Sequence, residues 1–167
     1  MMPPIIGRIL HKIALIAPGG WSLRPWLHRV RGAKIGNRVW ISQLVYIDEL
    51  HPECVTIGDN STIGLRTSIF THFYWGPRKA RNEGFVVIEN DVFVGPHCVI
   101  LPNVRIGRGA VIKAGTVVSR NVPPGAILGT PAEVIGTATV PLTAASSYHE
   151  FSRGVRPLRR SGKPTGS

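Results

Sequence analysis

Apolar positions in this chain recur in sixes. From Ile35 the sequence divides into IGNRVW, ISQLVY and IDELHP; after four residues come IGDNST, IGLRTS and IFTHFY; after thirteen more come IENDVF, VGPHCV, ILPNVR, IGRGAV, IKAGTV and VSRNVP. All twelve segments begin with Ile or Val under only two resets of frame, so the period is an internal repeat. Gly follows at Gly36, Gly58, Gly64, Gly95 and Gly107, and the fifth position is mostly small or branched, as at Val39, Val45, Ser61, Thr67, Val92, Cys98, Val104, Ala110, Thr116 and Val122. A period of six is a multiple of two, which suits short strands that alternate inward and outward, whereas a helix of 3.6 residues per turn drifts off it. Gly or Asn near each corner supplies positive φ where the chain turns. One such strand cannot bury its own inward face, so successive turns must stack with like positions over one another. The pattern therefore predicts an all-β solenoid of stacked coils.

Outside the repeat the pattern changes. Ile5, Ile6, Ile9, Leu10, Ile13 and Ile16 recur at helical spacing, and WSLRPWLHRVRG forms a second short segment after a Pro-Gly-Gly break. We read residues 1–31 as a helical cap on the open first coil. The alternative is peripheral membrane contact, with Trp21, Trp26, Arg24, Arg29 and Arg31 in a lipid headgroup layer. Residues 32–136 form the solenoid domain with one excursion at 75–87, and residues 137–167, rich in Ser, Gly, Pro and Arg, form a tail expected to be flexible.

Composition narrows the function. The 167 residues are 43% hydrophobic and 17% charged, which suits one folded domain rather than a disordered chain. A net charge of +11 attracts anions such as phosphorylated cofactors or acidic lipid. Nucleic acid is not expected as a partner, because zinc-finger, helix-turn-helix and aromatic RNA-binding patterns are absent. Cys54 and Cys98 make neither a disulfide framework nor a metal cluster and read as reduced thiols. The apolar start is broken by Arg8, His11 and Lys12, too short to span a bilayer and without a cleavage site in the expected place. A cytoplasmic location follows as an expectation, at the inner membrane surface if the lipid contact is made.

The hexads, the THF histidine with a loop behind it, and the closing run VIKAGTVVSRNVPPGAILGTPAEVIG resemble the hexapeptide-repeat acyltransferases. Within that family the chain is most similar to the branch that acetylates sugars, polysaccharides, nodulation factors and streptogramin-type substrates. The resemblance covers roughly residues 30 to 136 and implies a left-handed parallel β-helix of triangular section, assembled as a homotrimer with active sites between subunits. It also implies acetyl-coenzyme A as donor, with no metal. By that resemblance Gly95 and Pro96 flank the thioester while Ala114, Ser119 and Arg120 line the pantetheine arm. Glu133 and Gly136 stand where some members carry arginines for the nucleotide end.

His72, at the root of the loop, occupies the place of the family's catalytic histidine. An imidazole there acts as general base, taking the proton of an acceptor as it attacks the thioester carbonyl. Asp48, about one coil earlier, is the candidate to orient it. Trp75, Arg78 and Arg81 in the loop suit a glycan or small-molecule acceptor, through stacking on sugar rings and pairing with phosphate or carboxylate. His11, His28 and His149 read as surface residues and His97 as an outward decoration. A γ-type carbonic anhydrase shares the β-helix and needs a close histidine pair, but His51, His72 and His97 are too widely spaced to supply one. The reaction read from the sequence is O-acetylation of a sugar, polysaccharide or related hydroxyl, with N-acetylation of an amino sugar as the chemically adjacent alternative.

Overall fold

The structure, a computed structural model, describes residues 4–72, 84–129, 136–138, 149 and 153–157. Two helices open the chain, α1 (Pro4–Ile16) and α2 (Leu23–Val30). Thirteen short strands follow: β1 (Lys34–Ile35), β2 (Trp40–Ile41), β3 (Tyr46–Ile47), β4 (Val55–Ile57), β5 (Thr62–Ile63), β6 (Ser68–Ile69), β7 (Val86–Ile88), β8 (Phe93–Val94), β9 (Val99–Ile100), β10 (Val104–Ile106), β11 (Val111–Ile112), β12 (Val117–Val118) and β13 (Ile127–Leu128). All of their pairings are parallel, and each strand pairs with the one three places along the chain, except that β11 pairs with β13. Three sheets result, β1-β4-β7-β10, β2-β5-β8-β11-β13 and β3-β6-β9-β12, so three hexads make one coil. This arrangement fits a left-handed β-helix.

The register explains why the repeat is so regular. Ile35 pairs with Ile57 and Ile57 with Ile88, Ile41 with Ile63, and Ile47 with Ile69, so the first residue of every hexad stacks on its counterpart. All twelve first positions, Ile35 to Val118, are buried, as are the ten small or branched fifth positions. β-branched side chains are stiff and fill such ladders with little rotamer freedom to lose. The fourth position turns the corner: Arg38, Leu44, Asn60, Arg66, Asp91, His97, Asn103, Gly109 and Gly115 all have positive φ. The glycines in second position do a different job from the one expected of them. A Cβ on Gly95 would come within 2.6 Å of the Ala114 backbone nitrogen on the next coil, so close coil-to-coil approach, not φ, requires that glycine.

At the first coil the carbonyls of Ile35, Ile41 and Ile47 lack a preceding strand to pair with. Arginines meet them, one for each sheet. Arg29 Nε donates to Ile35 O at 2.9 Å, Arg24 Nε to Ile41 O at 2.6 Å and Arg31 Nη2 to Ile47 O at 3.1 Å. Backbone adds two more bonds, Ile41 N–H to Gly20 O and Leu44 N–H to Leu15 O. Open-edge carbonyls buried without donors would each cost a desolvation penalty, and this segment removes it.

The face of α1 turned inward is not the isoleucine face. Ala14 and His11 are buried, and Ala14 packs with Ala17, Leu27 and Leu10. Ile5, Ile6, Ile9, Ile13 and Ile16 are exposed. His11 and His28, expected at the surface, are 1% and 0% exposed: both lie where the helices meet the coil, His11 edge-on to Tyr46 and His28 bonded to Arg31. His149 is exposed, as expected.

Residues 131–167 form a second compact unit. Within it β14 (Gly136–Ala138) pairs antiparallel with β15 (Val155–Pro157). Part of the stretch expected to be flexible therefore carries a short two-stranded ladder.

Candidate active site

His72 is the fourth residue of the third hexad of the second coil, just beyond β6, and Asp48 lies at the equivalent edge of the first coil, just beyond β3. Stacking brings them together: His72 Nδ1 is 2.7 Å from Asp48 Oδ2. Asp48 is fully buried, and His72 keeps 16% of its side chain exposed.

Five donors converge on the Asp48 carboxylate. Leu50 and His51 N–H reach Oδ1 at 2.9 and 3.1 Å, while Thr71 N–H and Thr71 Oγ1 each reach Oδ2 at 2.8 Å beside the imidazole. Burial pushes the carboxyl pKa up, but the bonds from Thr71, His51 and His72 outweigh it and hold it below the ordinary value. An ionised Asp48 accepts from Nδ1–H and so puts the lone pair of the neutral imidazole on Nε2. Arg31 Nη2 donates to Asp48 O at 2.7 Å, and His28 Nδ1 accepts from Arg31 Nη1 at 2.9 Å, which ties the end of α2 to the strand that carries the carboxylate. Sequence reasoning missed Thr71 and Arg31. Thr71 stood next to His72 in the THF triplet, whereas nothing in the sequence marked Arg31 apart from other surface cations.

The residues expected to line the donor divide between two corners. Gly95, Pro96 and Ala114 lie together at the corner between the second and third sheets, with Gly95 packed on Ala114. Ser119 and Arg120 follow β12, on the same side of the coil as His72 but further along it, and both are exposed. A single chain therefore separates the Gly95–Ala114 corner from His72 by the width of the third sheet. Trp75, Arg78 and Arg81 lie outside the described residues.

Other titratable groups near the coil do different work. Cys98 is buried, its Sγ 3.2 Å from Lys113 O, and burial pushes its thiol pKa up, the opposite of an activated nucleophile. His97 is exposed and occupies a left-handed corner. His51 Nδ1 pairs with Glu53 Oε1 at 3.2 Å, and its ring lies 6.1 Å from that of His72. Among the described residues no group of three or more His, Cys, Asp or Glu is placed to hold a metal ion.

Residues 85–120 match the sequence family described as Bacterial transferase hexapeptide (six repeats). The chain is 37% identical over 109 residues to YvoF of Bacillus subtilis (strain 168), a protein to which acetyltransferase activity is provisionally assigned, covering 65% of this chain and 62% of that one. It is 51% identical over 55 residues to the 2,3,4,5-tetrahydropyridine-2,6-dicarboxylate N-acetyltransferase of Staphylococcus aureus (strain JH9), covering 32% of this chain and 23% of that one. The chain thus spans less than two thirds of the length of either relative. In three dimensions it is similar to a hexapeptide-repeat acetyltransferase of Vibrio cholerae O1 biovar eltor solved with acetyl coenzyme A, with a TM-score of 0.57 and 26% identity over 74% of this chain and 80% of the other. In repeat, sequence and coil architecture this chain is similar to the hexapeptide-repeat acetyltransferases, and the six-residue repeat of residues 85–120 is what it shares with the bacterial transferase hexapeptide family.

Proposed function

We propose that this chain is an acetyl-coenzyme A dependent acetyltransferase in which His72 is the general base and Asp48 its orienting partner. The observation that carries the reading is the 2.7 Å bond between His72 Nδ1 and a fully buried carboxylate. With Nδ1–H held by Asp48, Nε2 takes the proton of an acceptor as its oxygen attacks the thioester carbonyl. The carbon–oxygen bond forms and the carbon–sulfur bond of the tetrahedral intermediate breaks. Nε2–H then returns the proton to the leaving coenzyme A thiolate. Cys98, buried and with a raised pKa, is not a candidate to carry the acetyl group, which supports direct transfer.

The donor runs past Gly95, Pro96 and Ala114, where a side chain on Gly95 would meet the Ala114 backbone, with Ser119 and Arg120 further along. Because that corner and His72 lie on opposite edges of one sheet, a complete site needs His72 from one subunit beside the Gly95–Ala114 corner of another. A ring of three supplies that contact without leaving an exposed half-site. The acceptor is a hydroxyl of a sugar, glycan or related small molecule, with Trp75, Arg78 and Arg81 as its contacts. N-acetylation is the second reading, favoured by the 51% identity to an N-acetyltransferase over 55 residues.

The test is coenzyme A release from acetyl-coenzyme A across paired hydroxyl and amine acceptors. His72→Ala should lower kcat by about 10²- to 10⁴-fold. Asp48→Asn should lower kcat with less effect on donor KM, since it disturbs the tautomer and leaves the donor channel alone. Full turnover by His72→Ala would end the general-base assignment.

A further inference from the structure

We propose that the exposed face of α1 is a docking surface for an anionic lipid bilayer. This inference does not depend on the catalytic reading.

The helix is amphipathic with its apolar side turned away from the protein. On a helical projection Ile5, Ile16, Ile9, Ile13 and Ile6 form one continuous outward stripe, between 44% and 71% exposed. Arg8 and Lys12, both exposed, border that stripe along one edge, and α1 holds no acidic residue. The opposite side, with Ala14 and His11, is already buried. Five large aliphatic side chains left on a helix surface mark an interaction face rather than scattered exposure.

Charge selects the occupant. The first 47 residues contain Arg8, Lys12, Arg24, Arg29, Arg31, Lys34 and Arg38 and no Asp or Glu at all. Arg24 and Arg31 are buried against the first coil, whereas Arg8, Lys12, Arg29, Lys34 and Arg38 are exposed. A second copy of this chain meeting the face symmetrically would set the same cationic border against itself. A bilayer bearing negative headgroups offers the complementary pair, hydrocarbon for the isoleucines and phosphate for the cations. Trp21 and Trp26, 61% and 53% exposed, suit the boundary between headgroup and acyl chain. No helix among the described residues is long and apolar enough to cross a membrane, so α1 would lie in the surface plane.

The experiment is co-sedimentation of the full chain with vesicles of phosphatidylcholine alone and with a third phosphatidylglycerol, at low and high salt. Ile9→Glu/Ile13→Glu is compared with wild type, because both side chains are exposed and the change leaves the coil ladders intact. We expect wild type to bind the anionic vesicles at least tenfold better than neutral ones, with the preference reduced by salt, and the double variant to lose binding by at least tenfold. Mass by light scattering without lipid and coenzyme A release with a water-soluble acceptor should be the same for both proteins. Equal sedimentation of wild type and variant would overturn the proposal. So would a smaller assembly in the variant without lipid, which would assign the face to contacts between copies.

Discussion

Two histidines buried where the helices meet the first coil make this protein sensitive to mild acid by a mechanism that can be measured. The pKa of His28 is lowered from 6.5 to about 3, by burial first and then by Arg31, His11 and Arg24. That of His11 falls from 6.5 to about 4, by burial first and then by Arg31, with Lys12 adding to it against the opposing pull of Glu49 and Asp48. Both are neutral when folded, and His28 Nδ1 accepts a bond from a guanidinium, which a proton there would destroy. Between the folded and unfolded values the unfolded chain binds more protons, so stability is full above about pH 6.5 and falls as pH drops toward 4. At pH 5 each histidine removes about 2 kcal/mol relative to pH 8, about 4 together, against a typical total of about 5–15 kcal/mol. His11→Phe isolates one of the two. Neither ring nitrogen of His11 has a partner among the described residues, and phenylalanine can keep the edge contact with Tyr46. Denaturant titrations from pH 8 to pH 5 should show wild type losing about twice the free energy that His11→Phe loses, with the variant the more stable at pH 5. Parallel pH profiles for the two proteins would refute the reasoning.

Two further substitutions test how the fold supports the site. Gly95→Ala places a methyl against the Ala114 backbone, which cannot rotate away, and should cost about 1–3 kcal/mol in denaturant unfolding, with a raised KM for acetyl-coenzyme A. Arg31→Met leaves the carbonyls of Ile47 and Asp48 without their guanidinium donor and His28 Nδ1 without its bond; about 2–4 kcal/mol should be lost, and kcat should fall more than donor KM rises, because Asp48 shifts beneath His72.

How far the site was legible is clearest in the pair at its centre. Asp48 and His72 are 24 residues apart, and no local pattern joins them. They could be associated only through the repeat, because three hexads to a coil set the residues beyond β3 under those beyond β6. The support around them was hidden. Thr71 contributes through its backbone N–H as well as its hydroxyl, and a backbone donor leaves no mark on residue choice. For the helices, six apolar residues at helical spacing marked a helix in the cap but not which of its faces packs on the coil, and the structure buries Ala14 and His11 while five of the six are exposed. The open edge of a coil presents carbonyls rather than an apolar groove, so small residues and hydrogen-bond donors pack there.

The sequence by itself determined the coil. A period of six, with Ile or Val leading each unit and a small or branched residue in most fifth positions, admits few arrangements other than stacked parallel strands, because only identical ladders bury every leading side chain at once. Tertiary structure decided which way each end faces and what lies beside what. Three arginines close the first edge, one carboxylate collects five donors, and α1 turns its isoleucines outward. Those outcomes depend on unpaired backbone groups and on distances between coils, which hydrophobic periodicity does not encode.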